Sequence, residues 1–174
     1  MRRLLYTLLL TYWAACIAWY PKLPDRYPIH FDARGQPDGW SQGPFGWFLL
    51  PAIGTITLLL LLGVGKLARR APQLWNIPEK KRFLALSAEQ RAPIVAVLDG
   101  ILEVAALYTL VVIATCQWAI YRSALSARPG LPLLFHLVLW GGMAVLLMVV
   151  LQKNRAVKEM IRAASAEASI GRTS

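Results

Sequence analysis

Residues Phe45 to Gly65 read FGWFLLPAIGTITLLLLLGVG, a run without a single charged side chain. A helix of about 20 apolar residues crosses a hydrocarbon core of ~30 Å. The run shows neither the 3.6-residue nor the 2-residue alternation of an element half-buried in a water-soluble core. Three further runs have the same character: Leu4 to Tyr20, about Val104 to Tyr121, and Leu131 to Leu151. In lipid the backbone must satisfy its own polar groups, which admits helices or closed barrels, and these runs lack the alternation of barrel strands. The expectation is an all-α integral membrane protein with four transmembrane helices.

Composition agrees. Of 174 residues, 57% are hydrophobic and 16% charged, a poor mixture for the surface of a soluble domain. The formal net charge of +10 raises the question of nucleic acid. The cations, however, flank the ends of apolar runs, where they match anionic lipid headgroups, and no nucleic-acid recognition motif is present. The expected partner is a bilayer with anionic headgroups, with no direct nucleic-acid contact. Cys16 and Cys116 each lie inside an apolar run and read as buried thiols, not as a disulfide scaffold or a zinc site. A Cys16–Cys116 bridge is the less favoured alternative, because disulfides need specific geometry.

Lysines and arginines accumulate on the cytoplasmic side of membrane proteins. Fourteen of them precede the first run, fill the connection between the second and third, or follow the fourth; Arg128 and Arg172 fall on opposite sides of this count. The other two connections carry five. Both ends of the sequence are therefore expected in the cytoplasm of a bacterial cell, with the loop between helices 1 and 2 outside. Trp19, Tyr20, Trp40, Trp47 and Tyr121 fall at the expected outer boundary and Trp75 near the inner one, as interfacial aromatics do. Arg2-Arg3 before an apolar run also resembles a signal peptide, and Trp13-Ala14-Ala15-Cys16 approaches a lipoprotein cleavage box. Because the run continues past Cys16 to a spanning length, an uncleaved anchor is the preferred reading.

The chain divides into residues 1–65, a basic cytoplasmic connection 66–93, helices 3 and 4 over 94–152, and a basic tail 153–174. Ser87-Ala88-Glu89-Gln90 reads as a capping box opening the helix into the third span, with Pro93 a candidate kink. Before it, Glu79 to Leu86 mixes cations with Phe83, Leu84 and Leu86, as in a short helix lying on the membrane surface. There Lys80, Lys81 and Arg82 form a candidate surface for lipid or a cytoplasmic partner.

The loop from Tyr20 to Trp40 is stiffened by prolines, and Gly35 and Gly39 permit turns, so it is structured. His30, Asp32 and Asp38 are candidate ligands of a zinc or manganese ion. The preferred alternative is that His30 and Asp38 hold the turns through backbone hydrogen bonds while Phe31 and Trp40 pack on the membrane face. No cofactor is assigned. Leu23-Pro24-Asp25-Arg26, Pro28-Ile29-His30-Phe31, Gly35 and Pro37-Asp38-Gly39-Trp40 resemble the signature of the N-terminal membrane domain of SdpI-type immunity proteins. The resemblance covers the first span, the loop and the start of the second. It implies a non-enzymatic sensor or immunity protein whose outer loop meets an extracellular peptide or envelope component and whose cytoplasmic face docks a repressor-type protein.

Elsewhere, Asp99 and Glu103 lie one turn apart at the inner end of the third span. Intramembrane carboxylates can mark ion paths, which gives the alternative of a small ion-coupled transporter subunit. The preferred reading places them at the interface, paired with Lys66, Arg69 or Lys153. Gln117 and His136 are expected to bridge neighbouring helices, and Gly54, Gly141 and Gly142 to let helices approach closely. No Ser-His-Asp, His-Glu-x-x-His or phosphate-loop pattern occurs, and a membrane metalloenzyme built on His30 is the remotest alternative.

Overall fold

A computed structural model describes residues 1–127 and 129–170; Arg128, Arg172 and Ser174 lie outside the described residues. The helices are α1 (Arg2–Trp19), α2 (Gly43–Arg70), α3 (Lys80–Ala85), α4 (Ala88–Ala124), α5 (Leu133–His136) and α6 (Gly142–Ile170). A π-turn, Leu137–Gly141, links the last two. Four helical stretches are long and apolar enough to cross a membrane, and the protein is a four-span helical membrane protein. The observed helices run beyond the apolar runs: α4 has 37 residues, ~55 Å at 1.5 Å per residue, longer than the hydrocarbon core is thick.

Among the described residues, the strands lie in the loop between the first two spans. Strands β1 (Arg26–Phe31) and β2 (Pro37–Gln42) pair antiparallel, with irregular register on both sides of His30.

Contacts divide the chain into two compact units, neither of which is a continuous stretch. The first comprises Met1–Leu59 and Ala106–Ala144. Its centre is polar as well as aromatic, for a reason that starts with Pro51. Proline has no N–H, so the carbonyl four residues back, that of Trp47, loses its helical donor. Gln117 Nε2 on α4 donates to that carbonyl at 3.4 Å, and Gln117 Oε1 accepts from the Tyr12 hydroxyl on α1, also at 3.4 Å. One buried amide thus joins three helices, as expected for Gln117. Trp47 Nε1 in turn donates to the Cys16 carbonyl at 2.9 Å, and Trp13 Nε1 to Thr55 Oγ1 at 2.9 Å.

Trp47 is 1% exposed, with Tyr27 edge-on at 6.1 Å and Tyr121 at 6.4 Å, so it is a core residue and not the interfacial anchor expected from its position. Its indole N–H finds a partner inside the protein, which removes the reason for an aromatic to stay at the headgroups. Cys16 is buried, Cys116 partly so, and both are free thiols.

The π-turn is matched by a partner. Tyr108 donates to the Leu139 carbonyl at 2.7 Å, and its ring lies where a Cβ on Gly142 would be, 2.6 Å from it. Gly54 meets Ile113 closely, whereas Gly141 has open space around it, so the close approach belongs to Gly54 and Gly142. His136 does not bridge helices as expected: among the described residues its Nδ1 lies 3.4 Å from Pro132 O, one turn back.

The second unit comprises Leu60–Ala105 and Val145–Ser174, of which residues to 170 are described. Ile77, Phe83, Leu86, Ile94, Leu98, Val157 and Ile161 form its core. The surface-helix expectation for α3 is corrected here. Phe83 and the C-cap Leu86, three residues apart and so on one face, are buried in this core, while Leu84 on another face remains exposed. The capping box is present: Gln90 N donates to Ser87 Oγ at 3.2 Å, and Ser87 N to Gln90 Oε1 at 3.0 Å. The helix continues through Pro93.

Candidate functional site

The hairpin is fixed at tip, middle and base. At the tip, Asp32 Oδ1 accepts from the backbone N–H groups of Arg34 and Gln36, each at 2.8 Å, while Gly35 takes φ +75°. An aspartate closing a turn around a left-handed glycine is the cheapest way to reverse the chain here. The tip is also tethered: Leu131 N donates to Gly35 O at 3.0 Å, joining it to the connection between α4 and α5.

In the middle, His30 Nδ1 and Asp38 Oδ1 meet at 2.5 Å across the strands. Gly39 stands opposite His30, and a Cβ there would lie 2.7 Å from the His30 Cβ, so only glycine leaves room. At the base, the buried Tyr27 hydroxyl donates to Gly43 O at 2.5 Å. Burial raises the Tyr27 pKa, which keeps the phenol a neutral donor.

These contacts redistribute the expected roles. Asp32, not the His30 and Asp38 pair, closes the turn. Because Asp32 is committed to two backbone amides, the His30, Asp32 and Asp38 triad is not assembled, and no cluster of three or more candidate metal ligands occurs among the described residues. Phe31 is half-buried. Trp40 keeps 41% of its surface exposed under the Arg26 guanidinium, 5.2 Å from the ring centre, and Ile29 is 42% exposed. The hairpin therefore presents an ion pair or hydrogen-bonded pair, an aromatic face and an aliphatic side chain on a rigid frame.

Beside the tip lies a cavity of about 580 Å³, lined by Gln36, Arg122, Ser123, Gly130 and neighbouring residues. Gly130 N donates to Ser123 Oγ at 3.0 Å, which orders this wall.

The other candidates sit elsewhere. Arg69 Nε donates to Asp99 Oδ2 at 2.9 Å, one of the pairings expected. Gly65 allows the approach, since Asp99 Oδ1 lies 3.1 Å from where its Cβ would be. Glu103, one turn on, is half-buried. Asp99 and Glu103 belong to one unit and Gln117 and His136 to the other.

In α3, Lys81 and Arg82 are exposed and Lys80 half-exposed, but Arg82 is engaged: its Nη1 donates to Glu79 Oε2 at 2.8 Å. Glu79 also receives Arg162 Nε at 2.6 Å and sits at φ 55°, a left-handed conformation unusual for a side chain with a Cβ. Sequence reasoning missed this double link, because Glu79 and Arg162 are 83 positions apart.

Residues 7–55 match the family model described as Domain of unknown function (DUF1648). The matched segment runs from α1 through the hairpin into α2. An uncharacterized protein of Archaeoglobus fulgidus is 29% identical over 134 residues, covering 73% of this chain and 70% of that protein. No solved structure matches the chain at a significant level.

Proposed function

We propose that the protein is a non-enzymatic cell-membrane sensor or immunity-type protein, whose hairpin faces outward and recognises an extracellular peptide or envelope component. The observation that carries this reading is the hairpin itself: a rigid frame that exposes Trp40, Ile29 and the His30–Asp38 pair rather than packing them away. Ordered elements that leave aromatic and polar side chains outward lose little entropy on binding a partner. The resemblance of the same segment to SdpI-type immunity proteins supports the peptide as the ligand class.

The orientation rests on the positive-residue asymmetry, which puts the hairpin outside and the α3 region in the cytoplasm. On that side Lys80 and Lys81 offer a cationic surface to a soluble repressor-type partner. Arg82 is less available, being held by Glu79.

The test is survival of a toxin-sensitive host challenged with a secreted toxic peptide of the kind that SdpI-type proteins resist. The host carries no copy of the gene, the wild type, H30A, D38A or both changes, and membrane abundance is measured alongside. Protection by the wild type that is lost in the variants at normal abundance is the expected result. Equal survival with and without the gene would remove the immunity role. Full protection in the double variant would move the site off the hairpin.

A further inference from the structure

In the second unit, a cleft of about 540 Å³ opens between the end of α2 and the start of α4. From α4 it is lined by Ala88, Arg91, Ala92, Val95, Ala96 and Asp99, the three- and four-residue spacing of a single helix face. From α2 and the turn after it come Arg69, Arg70 and Pro72. Three arginines thus line the cleft with one carboxylate, which is paired with Arg69. The lining is two-sided in chemistry, cationic at the arginines and apolar along Ala92, Val95 and Ala96.

The position on the chain identifies the occupant. The stretch of α2 long and apolar enough to cross a membrane ends at Leu67, and Arg69 and Arg70 directly follow it. That is the level of lipid phosphates. Guanidiniums match phosphate oxygens with paired N–H groups, and basic pockets between membrane helices suit lipid headgroups. A soluble phosphate would use the arginines but not the apolar wall, whereas a phospholipid uses both. The volume is within the usual range for a small-molecule site, roughly 300–1,000 Å³.

We propose that this cleft binds the phosphodiester headgroup of an anionic membrane lipid. Arg70 and Arg91 hold the phosphate, Arg69 is oriented by Asp99 to complete the cationic rim, and the Ala92, Val95 and Ala96 face receives the first acyl carbons. The site does not depend on the hairpin-centred reading, and it assigns Asp99 a positioning role in place of ion transport.

The experiment uses the full chain purified from membranes and exchanged into detergent micelles containing phosphatidylglycerol or phosphatidylcholine, with retained lipid read by native mass spectrometry. The wild type should retain phosphatidylglycerol in preference to phosphatidylcholine. R70Q/R91Q, which leaves the Arg69–Asp99 pair intact, should reduce that retention about thirtyfold, the scale of losing two basic residues beside anionic lipid. R155Q/K158Q removes the same charge from the exposed surface of α6 and should retain lipid as the wild type does. An unchanged thermal midpoint in R70Q/R91Q separates lost binding from lost folding; if that variant does not fold, R91Q alone carries the comparison. Equal retention of the two lipids by the wild type, or equal loss in both double variants, would overturn the site. Displacement of the lipid by glycerol 3-phosphate at the same concentration as a short-chain phosphatidylglycerol would reassign it to a soluble phosphate.

Discussion

At Gly39 and Gln117 single atoms decide the local structure. A methyl group on Gly39 would overlap the His30 side chain, so G39A should force the strands apart at the His30–Asp38 pair. Overpacking of this kind costs about 1–3 kcal/mol. The expected result is faster tryptic cleavage after Arg34 in the purified protein; an unchanged rate would mean that the strand yields without cost. Gln117 supplies the donor that Pro51 denies to the Trp47 carbonyl. Q117L should lower stability by about 1 kcal/mol, the usual scale of an interhelical hydrogen bond in membranes. P51A restores an N–H within helical reach of that carbonyl. The loss in P51A/Q117L should therefore be smaller than the sum of the two single losses, as thermal unfolding in detergent can show.

Among the elements, α4 depends most visibly on how it begins. Its first turn is closed by reciprocal bonds between Ser87 and Gln90, and Gln90 Nε2 also reaches Ala164 O on α6 at 3.4 Å. S87A should cost about 1 kcal/mol, typical for a lost N-cap. Q90A should cost more than S87A, because it removes a tertiary contact as well as the cap. A thermal midpoint lowered equally by both would show that the link to Ala164 contributes nothing. The hairpin is closed differently, by the single Asp32 Oδ1 serving two amides.

Across the molecule, Glu79 and the charge asymmetry lead to two measurements. The Arg162 guanidinium, and secondarily Arg82, holds the Glu79 carboxyl below its ordinary range. A carboxylate whose native pKa is depressed stabilises the fold above its unfolded pKa. That contribution disappears as pH falls through the lowered native value. The wild-type thermal midpoint should therefore fall more steeply than that of E79Q as the buffer is acidified below the carboxylate range. Parallel curves would show that the link carries no stability. For orientation, reporter fusions after Gln73 should read cytoplasm and fusions at Gly35 and Ala127 the outside. The reverse pattern would turn the hairpin inward and end its role as an outer receptor.

Much of this was legible in order of residues alone. Four uninterrupted apolar runs dictate four spans, because the bilayer imposes a length and forbids unpaired backbone, and both are properties of local sequence. The capping box at Ser87 and the stiffness of the Tyr20 to Trp40 loop are equally local, set within a few residues. What proximity between distant residues creates was not legible: Trp47 as a buried hub, Glu79 gripping Arg162, Phe83 turned into the protein, and Asp32 rather than His30 closing the turn. The arginine-lined cleft shows the division most sharply. Arg69, Arg70 and Arg91 read in sequence as scattered charges beside apolar runs, and become one site only when the end of α2 is laid against the first turns of α4. Hydrophobic patterning fixes which segments enter the membrane. The pairing of polar groups within it depends on which helix faces which, and that is decided by side-chain shape in three dimensions.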